Sequence, residues 1–207
     1  MYDYASIYWL LFSCFIVRGL YIISHKYILS TNEKYKSLSL DRQIYIQKNI
    51  VKSTYLAFLT IYATIFIIWP IYSFGYWDNY TIHRVAALYV SNDIVGLICV
   101  EKLPKSTRIH HIVSTTLVFV SFGLDFQSSD IAQAMLVYTM ASASAYIVNF
   151  HLGVRWLCTK NDLKWLRYLA AFIYIVCCSI SWLWHIHWTL TTANFNLYHV
   201  LYLLIMG

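Results

Sequence analysis

Long apolar stretches alternate with short polar ones along this chain. Six apolar runs approach the length of about 20 residues that a helix needs to cross about 30 Å of hydrocarbon. They are Tyr4–Ser24, Ser53–Phe74, Arg84–Leu103, Ile109–Leu124, Ile131–Leu152 and Leu166–Trp188. A seventh, Phe195–Met206, is short and would cross only if it began near Leu190. Backbone in hydrocarbon must satisfy its own hydrogen bonds, so each run is predicted to be helical. The pattern predicts an all-α fold, a polytopic transmembrane helical bundle of six or seven spans. Tyr4–Ser24 has no Lys or Arg before it and no A-x-A site after it, so it reads as a retained first helix. No lipidation signature is expected at either terminus.

Composition narrows the class. Of the 207 residues, 60% are hydrophobic and 12% charged, against about 25% charged in soluble domains. That charge would not cover a globular surface, and the same numbers exclude disorder. With Gly at 6 and Pro at 2, turn formers are too few for a β-sandwich or an up-and-down barrel. The five cysteines form no C-x-x-C pair, and four lie in apolar stretches, so they read as buried thiols. Neither a disulfide framework nor a zinc site is expected.

The net charge of +6 raises nucleic acid as a partner, and position argues against it. Thirteen of the fifteen Lys and Arg fall in or beside three connections, 25–52, 104–108 and 153–167. The intervening connections, 75–83, 125–130 and 189–194, hold none. Basic residues are retained on the cytoplasmic side of short loops, so the N-terminus is expected outside or in a lumen. Seven spans would put the C-terminus in the cytosol, and six would put it outside. A nucleic-acid groove would need one continuous basic face with interleaved aromatics. Contact with anionic headgroups accounts for the divided charge instead. Tyr and Trp near the span ends fit an interfacial belt. The sequon Asn79-Tyr80-Thr81 falls in a connection too short for glycosylation to be expected.

Ionisable groups inside spans are costly, about 2.5–3.5 kcal/mol each at mid-bilayer, and so mark candidate sites. Asp93 sits in the middle of the third run, and His110 and His111 open the fourth. Asp93 serves either function or a structural hydrogen bond. The histidines are candidates for proton transfer, being near neutrality in pKa. Adjacent helical residues diverge by about 100°, so the pair alone chelates a metal poorly, and no metal is expected. Ser114 follows within a turn. Thr139, Ser142, Tyr146 and Asn149 form a polar stripe on the fifth run, read as a lipid-binding face or as helix packing. Arg18 is expected to snorkel to the inner interface. His151 is expected to be solvated, and His185 and His187 to belong to the belt with Trp182, Trp184 and Trp188.

Four segments carry a family resemblance. They are Lys48-Asn49-Ile50-Val51-Lys52-Ser53, Tyr89-Val90-Ser91-Asn92-Asp93, Arg108-Ile109-His110-His111-Ile112-Val113-Ser114, and Tyr146-Ile147-Val148-Asn149-Phe150 with Arg155-Trp156 after it. In this order the chain resembles the TLC-domain family from about Gln47 to the end, closer to its small TLC-only members than to ceramide synthases. The resemblance implies residues 1–46 as an extra N-terminal helix and cytoplasmic loop, and 47–207 as the TLC domain. It also implies membrane lipids as partners, a location in the endoplasmic reticulum or a related membrane, and a role in lipid handling, lipid sensing or membrane composition.

Other branches imply two alternatives. One is protein insertion or trafficking, as in the translocon-associated TRAM proteins. The other is an acyl-CoA-dependent acyltransferase of the ceramide synthase type, with acyl-CoA as co-substrate and no resident cofactor. His110 and His111 match the histidine pair of that branch. The chain departs downstream, where Met140-Ala141-Ser142-Ala143-Ser144 replaces the family's acidic segment. The partner of the histidines would then be Asp93. If the helices cross straight, Asp93 is expected about 10 Å deeper than the pair, so contact would require tilt or a water.

Overall fold

A computed structural model describes residues 3–100, 103–159, 161, 163–192 and 197–206. Lys102 and Lys160 of the basic connections, and Phe195 at the head of the short seventh run, lie outside the described residues. The described chain is helical: α1 (Tyr4–Ile23), α2 (Glu33–Lys36), α3 (Leu40–Ala63), α4 (Trp69–Phe74), α5 (Asn79–Cys99), α6 (Lys105–Ser121), α7 (Asp130–Ser144), α8 (Tyr146–Val154), α9 (Lys164–Thr191) and α10 (Leu197–Met206).

Among the described residues, five helical stretches are long and apolar enough to cross a membrane: Tyr4–Tyr27, Leu40–Phe74, Asn79–Cys99, Asp130–Val154 and Lys164–Thr191. Helices α6, with 17 residues, and α10, with 10, are shorter. Large apolar side chains face outward along α9, including Phe172, Ile175, Leu183 and Ile186, while polar groups such as Ser91, Asn92 and Asp93 lie buried on α5. An outer surface this apolar matches hydrocarbon rather than water.

Local sequence explains where elements start and stop. Asp3, Asp78 and Ser129 cap α1, α5 and α7 with side-chain oxygens that accept from backbone amides. Pro70 has no amide to offer the carbonyl four residues back, and a widened π turn at Thr64–Ile68 covers that position before α4 resumes. Gly75, with φ of 62°, then ends the helix in the left-handed conformation that glycine adopts freely. A second break falls at Ala145, between α7 and α8.

The two ends of the bundle differ in charge. At one end Asp3 N donates to Phe122 O at 2.9 Å, His83 Nδ1 lies 3.1 Å from Asp3 Oδ2, and Asn79 Nδ2 donates to Asp125 Oδ1 at 2.6 Å. At the other, Lys34 Nζ donates to Cys158 O at 3.2 Å, and the Arg42 guanidinium stacks 4.6 Å from the Trp156 ring. The connections richest in Lys and Arg thus come together at one end, and the acidic caps gather at the opposite one.

One boundary corrects the sequence reading. The second run was expected to start at Ser53, leaving Lys48 and Lys52 in a polar loop. Helix α3 instead starts at Leu40, and both lysines lie on its buried face, 4% and 7% exposed. Position 46/47 consequently falls inside a continuous helix. Helix α1 is also built into the bundle: Val17 and Tyr21 pack with Val51 and Val95, and Leu10 joins the main core.

Candidate functional site

Helices α5 and α6 form an antiparallel pair joined through residues 100–104. Asp93 lies six residues before the end of α5, and His111 six after the start of α6. At 1.5 Å per residue each is about 9 Å from the shared turn. The expected difference in depth therefore does not exist. It arose from carrying the third run to Leu103, four residues past the end of α5, and from starting the fourth at Ile109, four residues late.

The groups meet directly. Asp93, 1% exposed, accepts a hydrogen bond at Oδ1 from Lys52 Nζ at 2.6 Å. His111 Nδ1 stands 3.0 Å from the same oxygen, without a well-directed hydrogen bond. On the other side of the ring, Lys48 Nζ lies 3.1 Å from His111 Nε2. His110 turns toward α7, where its Nδ1 is 3.2 Å from the Tyr138 hydroxyl. The result is a buried row, Lys52–Asp93–His111–Lys48, with His110 and Tyr138 beside it.

Glycine makes room for this row. A Cβ on Gly96 would stand 3.3 Å from Lys48 Cε and 3.8 Å from His111 Nε2. On the far side of α3, a Cβ on Gly153 would meet Ile50 Cγ1 at 2.7 Å, so α8 approaches α3 closely only because residue 153 has no side chain.

Lys48, Lys52 and His111 of this row, with His110 and Tyr138, line a cavity of about 530 Å³, within the roughly 300–1,000 Å³ of small-molecule sites. The rim near the basic end includes Tyr45, Pro104 and Ser106, and the deep end includes His185 and Leu203. Leu56, Ala141, Ala145, Val148 and Leu152 supply an apolar wall from α3, α7 and α8.

The other sequence candidates are distributed around this space. Ser142 lines the cavity, and its hydroxyl pairs with Tyr89 Oη at 2.8 Å. Asn149 also lines it. Thr139 donates to Met135 O within its own helix, and Tyr146 packs against the main apolar core. The stripe thus divides: Ser142 and Asn149, seven residues apart, face the cavity, whereas Thr139 and Tyr146 do not. Ser114 is buried on α6, and its hydroxyl has no hydrogen-bond partner among the described residues. Arg18 is exposed on α1, and His151 is half-buried. His187 is exposed, but His185 turns inward to Tyr202 Oη at 2.8 Å and does not join the belt.

Sequence reasoning missed Lys48 and Lys52. The available signal was periodicity: positions 48, 52, 56, 59 and 63 follow one helical face back from Ala63 through Leu59 and Leu56.

Asp93, His110 and His111 also bring three potential metal-ligand atoms within 4.8 Å of one another. Two ammonium groups already occupy that ground. A unit-charge pair at 4 Å is worth about 4 kcal/mol at an effective dielectric near 20, and a divalent cation would meet that repulsion twice over from each lysine. The same electrostatics favour an anion. In comparisons with protein-family models, curated proteins and solved structures, none matches this chain.

Proposed function

We propose that this is a multi-pass membrane protein of the TLC-domain type that holds a membrane lipid in the cavity between α3, α6, α7, α8 and α9. The observation that carries this reading is the cavity itself: about 530 Å³, apolar along α7 and α8, with a buried polar row on the opposite wall. Lipid ligands need that combination, because the chain gains from leaving water while the headgroup needs partners. In this reading α6 also crosses the membrane, giving six spans, an outside N-terminus and a cytosolic basic end; Leu190 belongs to α9, and the ten residues of α10 reach only about 15 Å. The host membrane is the endoplasmic reticulum or a related one.

The test is extraction of the purified full-length chain followed by lipid mass spectrometry, for wild type and an Ala145→Trp variant that fills the cavity. A lipid retained near one per chain in wild type and lost in the variant supports the reading. Equal lipid in both, or none in either, overturns it.

A second reading, acyl transfer, is favoured by the 3.0 Å approach of His111 to Asp93. That reading requires a carboxylate beside the histidine to hold the ring and stabilise its charged form. His111 Nε2 would take the proton of an attacking hydroxyl or amine as that atom bonds to the thioester carbonyl of an acyl-CoA. The carbon–sulfur bond would break, and the leaving thiolate would recover the proton. Lys48 occupies Nε2 in this structure, so it would have to turn aside when the nucleophile binds.

A further inference from the structure

We infer that the ligand is a single-chain anionic amphiphile, with a carboxylate or phosphate headgroup seated on Lys48. This rests on the lipid-binding reading above and goes further by assigning the headgroup charge and its anchor. Lys52 has a carboxylate partner in Asp93, 2.6 Å away. Among the described residues, the Lys48 ammonium pairs only with the His111 ring nitrogen. Two buried ammonium groups and one buried carboxylate among the described residues leave one positive charge without a counter-charge. The lining of the cavity, among the described residues, contains Lys48, Lys52, His110, His111 and His185, and no Asp or Glu.

Burying an unpaired charge is costly, and the cost falls when an anion arrives. An ammonium group has three donors, and Lys48 uses one on His111 Nε2. The others remain for a headgroup at the cavity wall. Tyr138 and His110 stand on the same wall and offer further polar contacts. From there the apolar surface of Ala141, Ala145, Val148 and Leu152 offers a track for one alkyl chain.

The experiment uses the full-length protein in nanodiscs of neutral phosphatidylcholine. Binding is measured by native mass spectrometry for palmitate, palmitoyl lysophosphatidate, hexadecanol and hexadecyltrimethylammonium, with acetate and inorganic phosphate as headgroups without a chain. Wild type should bind palmitate or lysophosphatidate at least tenfold more tightly than hexadecanol, and the ammonium amphiphile least. The tighter of the two anions identifies the source, fatty acid or phospholipid. Lys48→Gln should lose that preference and Lys48→Arg keep it. Hexadecanol or the ammonium amphiphile binding as well as palmitate would overturn the anionic assignment and leave lipid binding standing. Small anions binding as tightly as the chain-bearing ones would overturn the amphiphile. Binding of no amphiphile at all would overturn the underlying lipid reading. The wild-type comparison needs no variant, so a Lys48 variant that fails to fold does not decide the outcome.

Discussion

Lys52 on α3 donates to Asp93 on α5 across 2.6 Å, and the side chains of both are almost wholly buried. Removing one partner strands the other in a medium of low dielectric, at a cost of about 3–5 kcal/mol. Lys52→Met should therefore lower the thermal midpoint in detergent sharply. The double variant Lys52→Met/Asp93→Leu should recover most of the loss, since it leaves no unpaired charge. A double variant no more stable than the single one would mean that the pair does not act as a unit.

Gly96 and Gly153 separate function from stability. Gly96→Ala brings a methyl group to 3.3 Å from Lys48 Cε, a flexible neighbour that swings away from His111. Ligand binding should fall several-fold with little change in unfolding temperature. Gly153→Ala brings a methyl to 2.7 Å from Ile50 Cγ1 and 3.2 Å from the Ile50 amide nitrogen, which does not yield. Overpacking of this kind costs about 1–3 kcal/mol. Thermal unfolding alongside the lipid assay distinguishes the two effects.

The acidic end should loosen in acid. Donation from Asn79, then from Ser128 and the Gln127 amide, holds the Asp125 carboxyl below the usual range. At Asp3 partial burial works the other way, but hydrogen bonds from Ser6 and His83 outweigh it and the value again falls. A depressed carboxylate stabilises the folded state above its unfolded pKa of about 3.9. That contribution disappears as pH falls through the lower folded value. Protection of the amides of Ser6 and Phe126 from hydrogen exchange, relative to an unfolded chain at the same pH, should fall below about pH 4, and Asp125→Asn should remove that fall at Phe126.

Much of the bundle was legible because hydrocarbon demands long apolar runs, and those runs place the outer ends of α1, α9 and the α7–α8 pair within about three residues and those of α5 within about five. Asp93, His110 and His111 stood out as ionisable groups in apolar surroundings. Lys48 and Lys52 were concealed by the same logic. A lysine beside an apolar run reads as a loop cation, and only a carboxylate 41 residues away makes the helical position tolerable. The break at Ala145 was hidden for a different reason: alanine favours helix, and no Pro or Gly stands at the break itself. The run Ile131–Leu152 consequently read as one helix.

Orientation can be read from a native thiol. Cys158 is exposed at the basic end, whereas Cys14, Cys99, Cys177 and Cys178 are partly buried within helices. A membrane-impermeant maleimide should label Cys158 from the cytosolic side of sealed microsomes. Protection there, with labelling after permeabilisation, would reverse the topology. The Asn79 side chain is held by Asp125 and the Phe126 amide, so the sequon should remain unglycosylated.

The acyl-transfer reading predicts that cells expressing the protein change their ceramide or phospholipid acyl profile. The change should vanish in a His110→Ala/His111→Ala variant that still inserts. An unchanged profile in that variant would remove the histidines from the chemistry and leave lipid binding as the function.

Photocrosslinking tests lipid occupancy of the cavity most directly. The full-length protein would be irradiated with diazirine-bearing palmitic acid and, separately, diazirine-bearing hexadecanol, and the adducts mapped by peptide mass spectrometry. The account predicts adducts from at least one probe on the cavity wall, between Ala141 and Leu152 or between Cys177 and Trp182, and their loss in Ala145→Trp. Adducts confined to outward residues such as Phe172, Leu183 and Ile186, unchanged by Ala145→Trp, would contradict it.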